Sequence, residues 1–158
     1  MPEANPKPCL NTALRILARR DHSCAELKQK LSMRGFQDAQ IKSAVAECLR
    51  LSYLDDHRFA VGCLRRLRRK GYGWRRIHEA LSTKGISDGL IEETFEKHYP
   101  LREQIEDCRK VLENKIRKTS APKRHQMYRF LLQRGFAASH IAGVIKAHGD
   151  LAGIDASE

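Results

Sequence analysis

The chain has 158 residues, enough for one ordinary domain or a few small modules. Apolar residues make up 41% and aromatics only 6%, so a buried core is possible while strand-type runs of Val, Ile, Thr and Tyr are absent. The net charge of +11 favours polyanionic partners, and no stretch approaches the ~20 apolar residues that a membrane span needs.

Residues 1–9 are Pro-rich, carry no apolar leader, and are expected to be disordered. From Leu10 the pattern turns helical, with Leu10, Ala13, Leu14 and Leu17 at i, i+3, i+4, i+7. Ser23 and Glu26 form a capping box for a second helix with Cys24, Leu27 and Leu31 on one face. Gly35 stops it, and Asp38 opens a third helix with Ile41, Val45, Cys48 and Leu49 inward. Asp55 caps a fourth helix running to about Lys70, and the Gly71-Tyr72-Gly73 turn leads into a fifth carrying Trp74, Ile77 and Leu81. Trp74 is expected to pack against Ile77. Gly85 ends that helix, Ser87 caps the next, and Ile91, Thr94, Phe95 and His98 face inward. A long seventh helix carries Ile105, Cys108, Leu112 and Ile116, and Pro122 suits the first position of the eighth. Met127, Phe130 and Leu131 precede Gly135; Ile141, Val144 and Ile145 mark the ninth helix; residues 149–158 form a frayed tail.

These helices repeat at a spacing of 50 residues: Leu31, Leu81 and Leu131 coincide, as do Gly35, Gly85 and Gly135, and Ile41, Ile91 and Ile141. Self-similarity at a fixed period means one supersecondary unit used repeatedly, neighbours covering each other's apolar faces. The expected fold is all-α: three tandem three-helix repeats, 10–54, 55–100 and 101–148, stacked into an elongated, curved solenoid-like array.

The charge concentrates locally. From Arg58 to Lys84 there are nine Lys or Arg and one acid, Glu79. On the fourth helix Ala60, Cys63, Leu64 and Leu67 form the apolar stripe, with Arg58, Arg65 and Arg69 nearly opposite and Arg66 and Arg68 flanking. Stable solvated faces interleave acids with bases, whereas this helix has no acid beyond Asp56. An uncompensated basic stripe is the footprint of an anionic partner. Lys70, Tyr72, Arg75 and Arg76 extend it through the glycine turn, where free N–H groups at the next helix start can meet an anion. Tyr72 either stacks on a base or an Arg plane or anchors the turn. Lys123 and Arg124 add a second cluster before the eighth helix, and Arg129 and Arg134 can extend the track.

Catalytic chemistry is missing. Asp55-Asp56 is an ordinary capping pair, the His residues are scattered, and no phosphate loop or nucleophile–base arrangement occurs. Cysteines at 9, 24, 48, 63 and 108 form no C-x-x-C, which reads as reduced thiols in a cytoplasmic protein with no metal. A basic three-helix unit also suits an autonomous nucleic-acid-binding protein or transcription regulator, but the third helices carry mainly apolar and small residues rather than base-reading ones.

Tyr53-Leu54-Asp55-Asp56-x-Arg58-Phe59-Ala60, Arg69-Lys70-Gly71-Tyr72-Gly73-x-x-Arg76-Ile77 and Leu81-x-x-Lys84-Gly85-Ile86 resemble the central signature of the bacterial RecX family. Leu27-x-x-x-Leu31-x-x-x-Gly35-Phe36 and Leu131-x-x-x-Gly135-Phe136 fit as well, so the resemblance spans roughly residues 10–148. Trp74 stands where the family usually has Pro. The resemblance implies tandem three-helix repeats that bind the RecA–single-stranded DNA filament and inhibit ATP hydrolysis, strand exchange and co-protease activity. It implies no enzyme activity and no cofactor; a monomer acting in the cytoplasm is expected.

Overall fold

The structure is a computed structural model that describes residues 7–120 and 122–152. Among the described residues there are nine helices and no strand: α1 (Lys7–Leu17), α2 (Cys24–Ser32), α3 (Asp38–Arg50), α4 (Asp56–Arg69), α5 (Trp74–Thr83), α6 (Asp88–His98), α7 (Leu101–Lys118), α8 (Arg124–Gln133) and α9 (Ala138–Ala152). Helices α2, α5 and α8 start 50 residues apart, and so do α3, α6 and α9.

Local chemistry accounts for the helix ends. Ser23 accepts from the Glu26 N–H while Glu26 reaches back to the Ser23 N–H, completing the expected capping box. Asp55 accepts from the Arg58 N–H at 3.1 Å and Ser87 from the Leu90 N–H at 3.4 Å. Gly35, Gly85 and Gly135 have φ of +82°, +76° and +90°, the left-handed conformation that closes a helix without Cβ strain.

The chain forms two compact bodies, and the middle repeat is shared out between them. One comprises the described residues up to Gly62 together with Leu81–Ile91. The other comprises Cys63–Ala80 together with the described residues from Glu92 onward. The first core gathers Cys9, Ala13, Leu27, Leu31, Ile41, Val45 and Cys48 from α1–α3. The second gathers Cys108, Leu112, Met127, Leu131, Phe136, Ile141 and Ile145 from α7–α9.

Several expectations need adjustment. Helix α1 begins at Lys7 rather than Leu10, and Cys9 is fully buried, because Pro8 fits a first helical turn. Residues 1–6 of the expected disordered segment lie outside the described residues, as do residues 153–158 of the expected tail, whose beginning is helical to Ala152. Leu49 is 46% exposed, since it lies about 75° from the centre of the Ile41–Val45–Cys48 stripe. Ile105, in the second turn of α7, is 40% exposed. His98 ends α6 and is exposed; Tyr99, one residue on, is the fully buried side chain. Pro122 precedes the Lys123 cap instead of occupying the first position of α8.

Candidate functional site

The basic tract falls in the second body except for Arg58 and Lys84. Arg58 braces its own helix start. Its guanidinium donates to the Ser52 and Tyr53 carbonyls, both at 3.2 Å, and lies 3.5 Å from Asp21. The Ser52 carbonyl belongs to a turn with φ +58°, and a guanidinium fork that ties two successive carbonyls steadies that strained backbone.

Arg68 is also spent internally. Its guanidinium pairs with Glu103 at 2.6 Å and Asp107 at 2.7 Å on α7, and covers the buried Tyr99 ring at 4.3 Å. Burial opposes the charge on Arg68, but hydrogen bonds from its N–H groups to Asp107 and Glu103 outweigh it and raise its pKa. So α4, which carries no acid of its own beyond Asp56, is compensated at Arg68 from a helix more than thirty residues away.

Arg65, Arg66, Arg69, Lys70, Arg75 and Arg76 remain exposed. Among the described residues Arg65, Arg69, Lys70 and Arg75 have no acidic partner, while Arg76 lies 3.7 Å from the exposed Glu79. Arg66 only approaches the Cys63 sulfur at 3.5 Å. Lys123 and Arg124 are exposed too, but they sit at the far end of α8 from Gly135, about 15 Å along a ten-residue helix. The structure thus gathers the α4 end and the α5 start into one cluster and leaves Lys123 and Arg124 as a second.

The glycine turn works differently from the sequence expectation. The Gly73 N–H donates to the Arg134 carbonyl at 2.8 Å and the Arg75 N–H to the Gly135 carbonyl at 3.1 Å. These amides are taken up by the α8–α9 turn and do not await an anion. A Cβ on Gly73 would lie 2.6 Å from the Gly135 carbonyl carbon, so both glycines permit one close backbone approach. Arg134 locks the junction: it donates to the Lys70 carbonyl at 2.7 Å and stacks on Tyr72 at 5.3 Å, with Arg76 on the same ring at 5.7 Å. Tyr72 therefore meets Arg planes, one of its two anticipated roles. Arg134 counted only as an extension of the basic track in sequence; its place in the turn left no local signal. Trp74 is half-buried and meets Phe95 and His78 edge-on, at 6.2 and 6.1 Å.

Among the described residues no group of three or more His, Cys, Asp or Glu could hold a metal ion, and no helix is long and apolar enough to cross a membrane. The five cysteines are free thiols, and burial pushes Cys108 up to about 12. What the arrangement offers is an exposed cationic surface flanking a packed glycine turn.

Models of the first and second three-helix domains of RecX match residues 9–48 and 55–94. The regulatory protein RecX of Vibrio vulnificus (strain CMCP6) is 37% identical over 136 residues, covering 84% of this chain and 88% of its own length. The regulatory protein RecX of Chlorobaculum tepidum (strain ATCC 49652 / DSM 12025 / NBRC 103806 / TLS) is 35% identical over 150 residues, covering 92% of this chain and 91% of its own. The crystal structure of RecX from Lactobacillus salivarius superposes with a TM-score of 0.82 at 22% identity, over 92% of this chain and 97% of that one, and so shares the fold. With both domain models matched and relatives above 30% identity over most of its length, the chain belongs to the RecX family of regulatory proteins.

Proposed function

We propose that the chain regulates the RecA recombinase by binding the RecA–single-stranded DNA filament and inhibiting its ATP hydrolysis, strand exchange and co-protease activity. It acts as a cytoplasmic monomer of three repeats, 10–54, 55–100 and 101–148, without cofactor or catalysis of its own. Family membership supports the regulatory role. The observation that carries the reading is the exposed cluster Arg65, Arg69, Lys70 and Arg75, for which the described residues supply no acid. Such a cluster is stabilised when phosphate or acidic protein surface comes within a Debye length of it. A filament groove presents both together. Arg66, Arg76 and Tyr72 border the contact, with Lys123 and Arg124 as a second foothold; Arg58 and Arg68 hold the scaffold.

The test is RecA ATP hydrolysis on single-stranded DNA with increasing amounts of this protein. A progressive fall is expected, and no effect at several-fold excess would overturn the reading. Reversing Arg65 and Arg69 to Glu should abolish the inhibition with helicity unchanged. Tight, sequence-specific duplex binding without RecA would instead favour an autonomous DNA-binding role.

A further inference from the structure

The turn that ends the second helix of each repeat occurs three times, and in two of them it is covered in the same way. The Lys84-Gly85-Ile86 turn seats on the start of α2. Ser23 donates from its hydroxyl to the Lys84 carbonyl at 2.6 Å, the Lys84 ammonium meets Glu26 at 2.6 Å, and a Cβ on Gly85 would strike the Ala25 Cβ at 2.4 Å. The Arg134-Gly135-Phe136 turn seats on the start of α5 through Gly73, Arg75 and Arg76. In both, the residue after the glycine is buried: Ile86 is 4% and Phe136 1% exposed.

The first copy, Arg34-Gly35-Phe36, has the same left-handed glycine, and among the described residues nothing covers it. Apart from its chain neighbours, no described atom lies within 4 Å of a Cβ placed on Gly35, and Phe36 is only half-buried. Beside it Met33 is 79% exposed, where the other copies carry Thr83 and Gln133. The turn also walls a cleft of about 550 Å³ lined by Arg15, Arg19, Arg20, Lys30 and Arg34, with no acidic residue in the lining. Only Arg20 has an acidic partner among the described residues, Glu26 at 3.3 Å.

We propose that this turn and its cleft are a docking site for a helix start on a partner protein, one with a small residue at the cap and carboxylates in its first turn. The chemistry is that of the two occupied copies. A small cap residue lets the glycine turn approach, a hydroxyl or amide meets the Arg34 carbonyl, and an acid at the third helical position meets Arg34 as Glu26 meets Lys84. Carboxylates in a first helical turn are also favoured by that helix's own dipole. The exposed Met33 supplies an adaptable apolar contact. A second copy of this chain does not fit through its equivalent helix start. Its remaining helix start of this kind, at α8, carries Lys123, Arg124 and Gln126 where α2 carries Ser23, Cys24 and Glu26, and it would bring cations to a cationic cleft. The site is independent of the tract on α4 and α5.

The probe is a fluorescein-labelled, lactam-stapled helical peptide beginning Asp-Ser-Ala-Ala-Glu, titrated with the full-length chain and followed by anisotropy. Saturable binding is expected. Its affinity should fall about tenfold or more when Met33→Glu and Arg34→Glu are combined, the size of loss that marks a central contact. Both positions are exposed, and circular dichroism checks that the variant folds; Arg19→Glu provides an independent second variant. Gln133→Glu, at the equivalent position of the third repeat, should leave binding unchanged. Equal binding by a peptide with Lys in place of Glu, or no loss in either cleft variant, would overturn the proposal. So would a labelled oligothymidylate that displaces the peptide and loses its own affinity in the same variants, since the cleft would then belong to nucleic acid.

Discussion

Gly73 and Gly135 meet backbone to backbone: a Cβ on Gly73 would lie 2.6 Å from the Gly135 carbonyl carbon, and the Gly73 N–H donates to the Arg134 carbonyl at 2.8 Å. Two glycines 62 residues apart thus serve one contact. The turn that sequence reading offers as an anion cradle is a packing joint. The joint takes up the Gly73 and Arg75 amides and the Arg134 guanidinium, and leaves the Arg65, Arg69, Lys70 and Arg75 side chains exposed.

The three helix-stop glycines separate two effects that usually travel together. All have positive φ, so Ala at any of them carries left-handed strain of about 1–2 kcal/mol. At Gly35 that is the whole loss, because among the described residues nothing beyond its chain neighbours lies within 4 Å. At Gly85 and Gly135 the new Cβ also strikes Ala25 and Arg76, at 2.4 and 2.6 Å, adding about 1–3 kcal/mol of overpacking. Urea denaturation of the three variants should rank Gly35→Ala as the mildest. Equal losses at all three would mean that the joints yield without strain.

Two arginines one turn apart on α4 should behave oppositely. Arg68→Ala strands Asp107, 16% exposed, and uncovers Tyr99, for a loss of about 2–3 kcal/mol. Arg65→Ala should change stability by no more than about 0.5 kcal/mol. The reverse pattern should appear in filament inhibition. Thermal melts and RecA ATPase assays on both variants check the crossover.

Glu26 gives acid sensitivity with a defined sign. Burial raises its pKa, but hydrogen bonds from Lys84, Arg20 and the Ser23 N–H dominate and lower it from 4.5 to about 2. A depressed carboxylate contributes stability that is present above 4.5 and is lost as pH falls toward 2. A shift of that size corresponds to about 3 kcal/mol. Lys84 and Arg20 are 42% and 48% exposed, and solvent screening reduces it to about 1–2 kcal/mol. The stability gap between the native chain and Glu26→Gln should therefore be larger at pH 6 than at pH 3 in urea titrations. A gap independent of pH would show that the carboxylate's charge is not what holds the joint.

Binding of single-stranded DNA through the Arg65 and Arg69 side chains should follow counterion release. Each lost phosphate contact lowers the slope of log affinity against log salt by about 0.7, so changing both to Gln should lower it by about 1.4. A slope unchanged by the double variant would move the contact elsewhere, with Lys123 and Arg124 the next pair to examine.

The glycine stops, the caps and most apolar stripes were legible because each depends on residues within one or two turns. Ser23 with Glu26, Asp55 with Arg58, and Leu27 with Leu31 need no distant partner to be recognised. The misreadings at Leu49, His98 and Pro122 all fall at helix ends, where periodicity loses its constraint on direction. The uniform reading of the α4 cations failed for a different reason. Arg65 and Arg68 look alike in sequence, and only α7, arriving with Glu103 and Asp107, separates them.

By itself the sequence determined a helical chain built from a thrice-used unit, its stops at Gly35, Gly85 and Gly135, and a basic excess centred on α4 and α5. Those properties follow from period, propensity and charge, which are local or additive. Tertiary structure alone decided which arginines are neutralised, which amides the glycine turn gives up, and which copy of that turn is left uncovered. Each of these depends on a partner far away in sequence, and pairing at a distance leaves no trace in a local pattern.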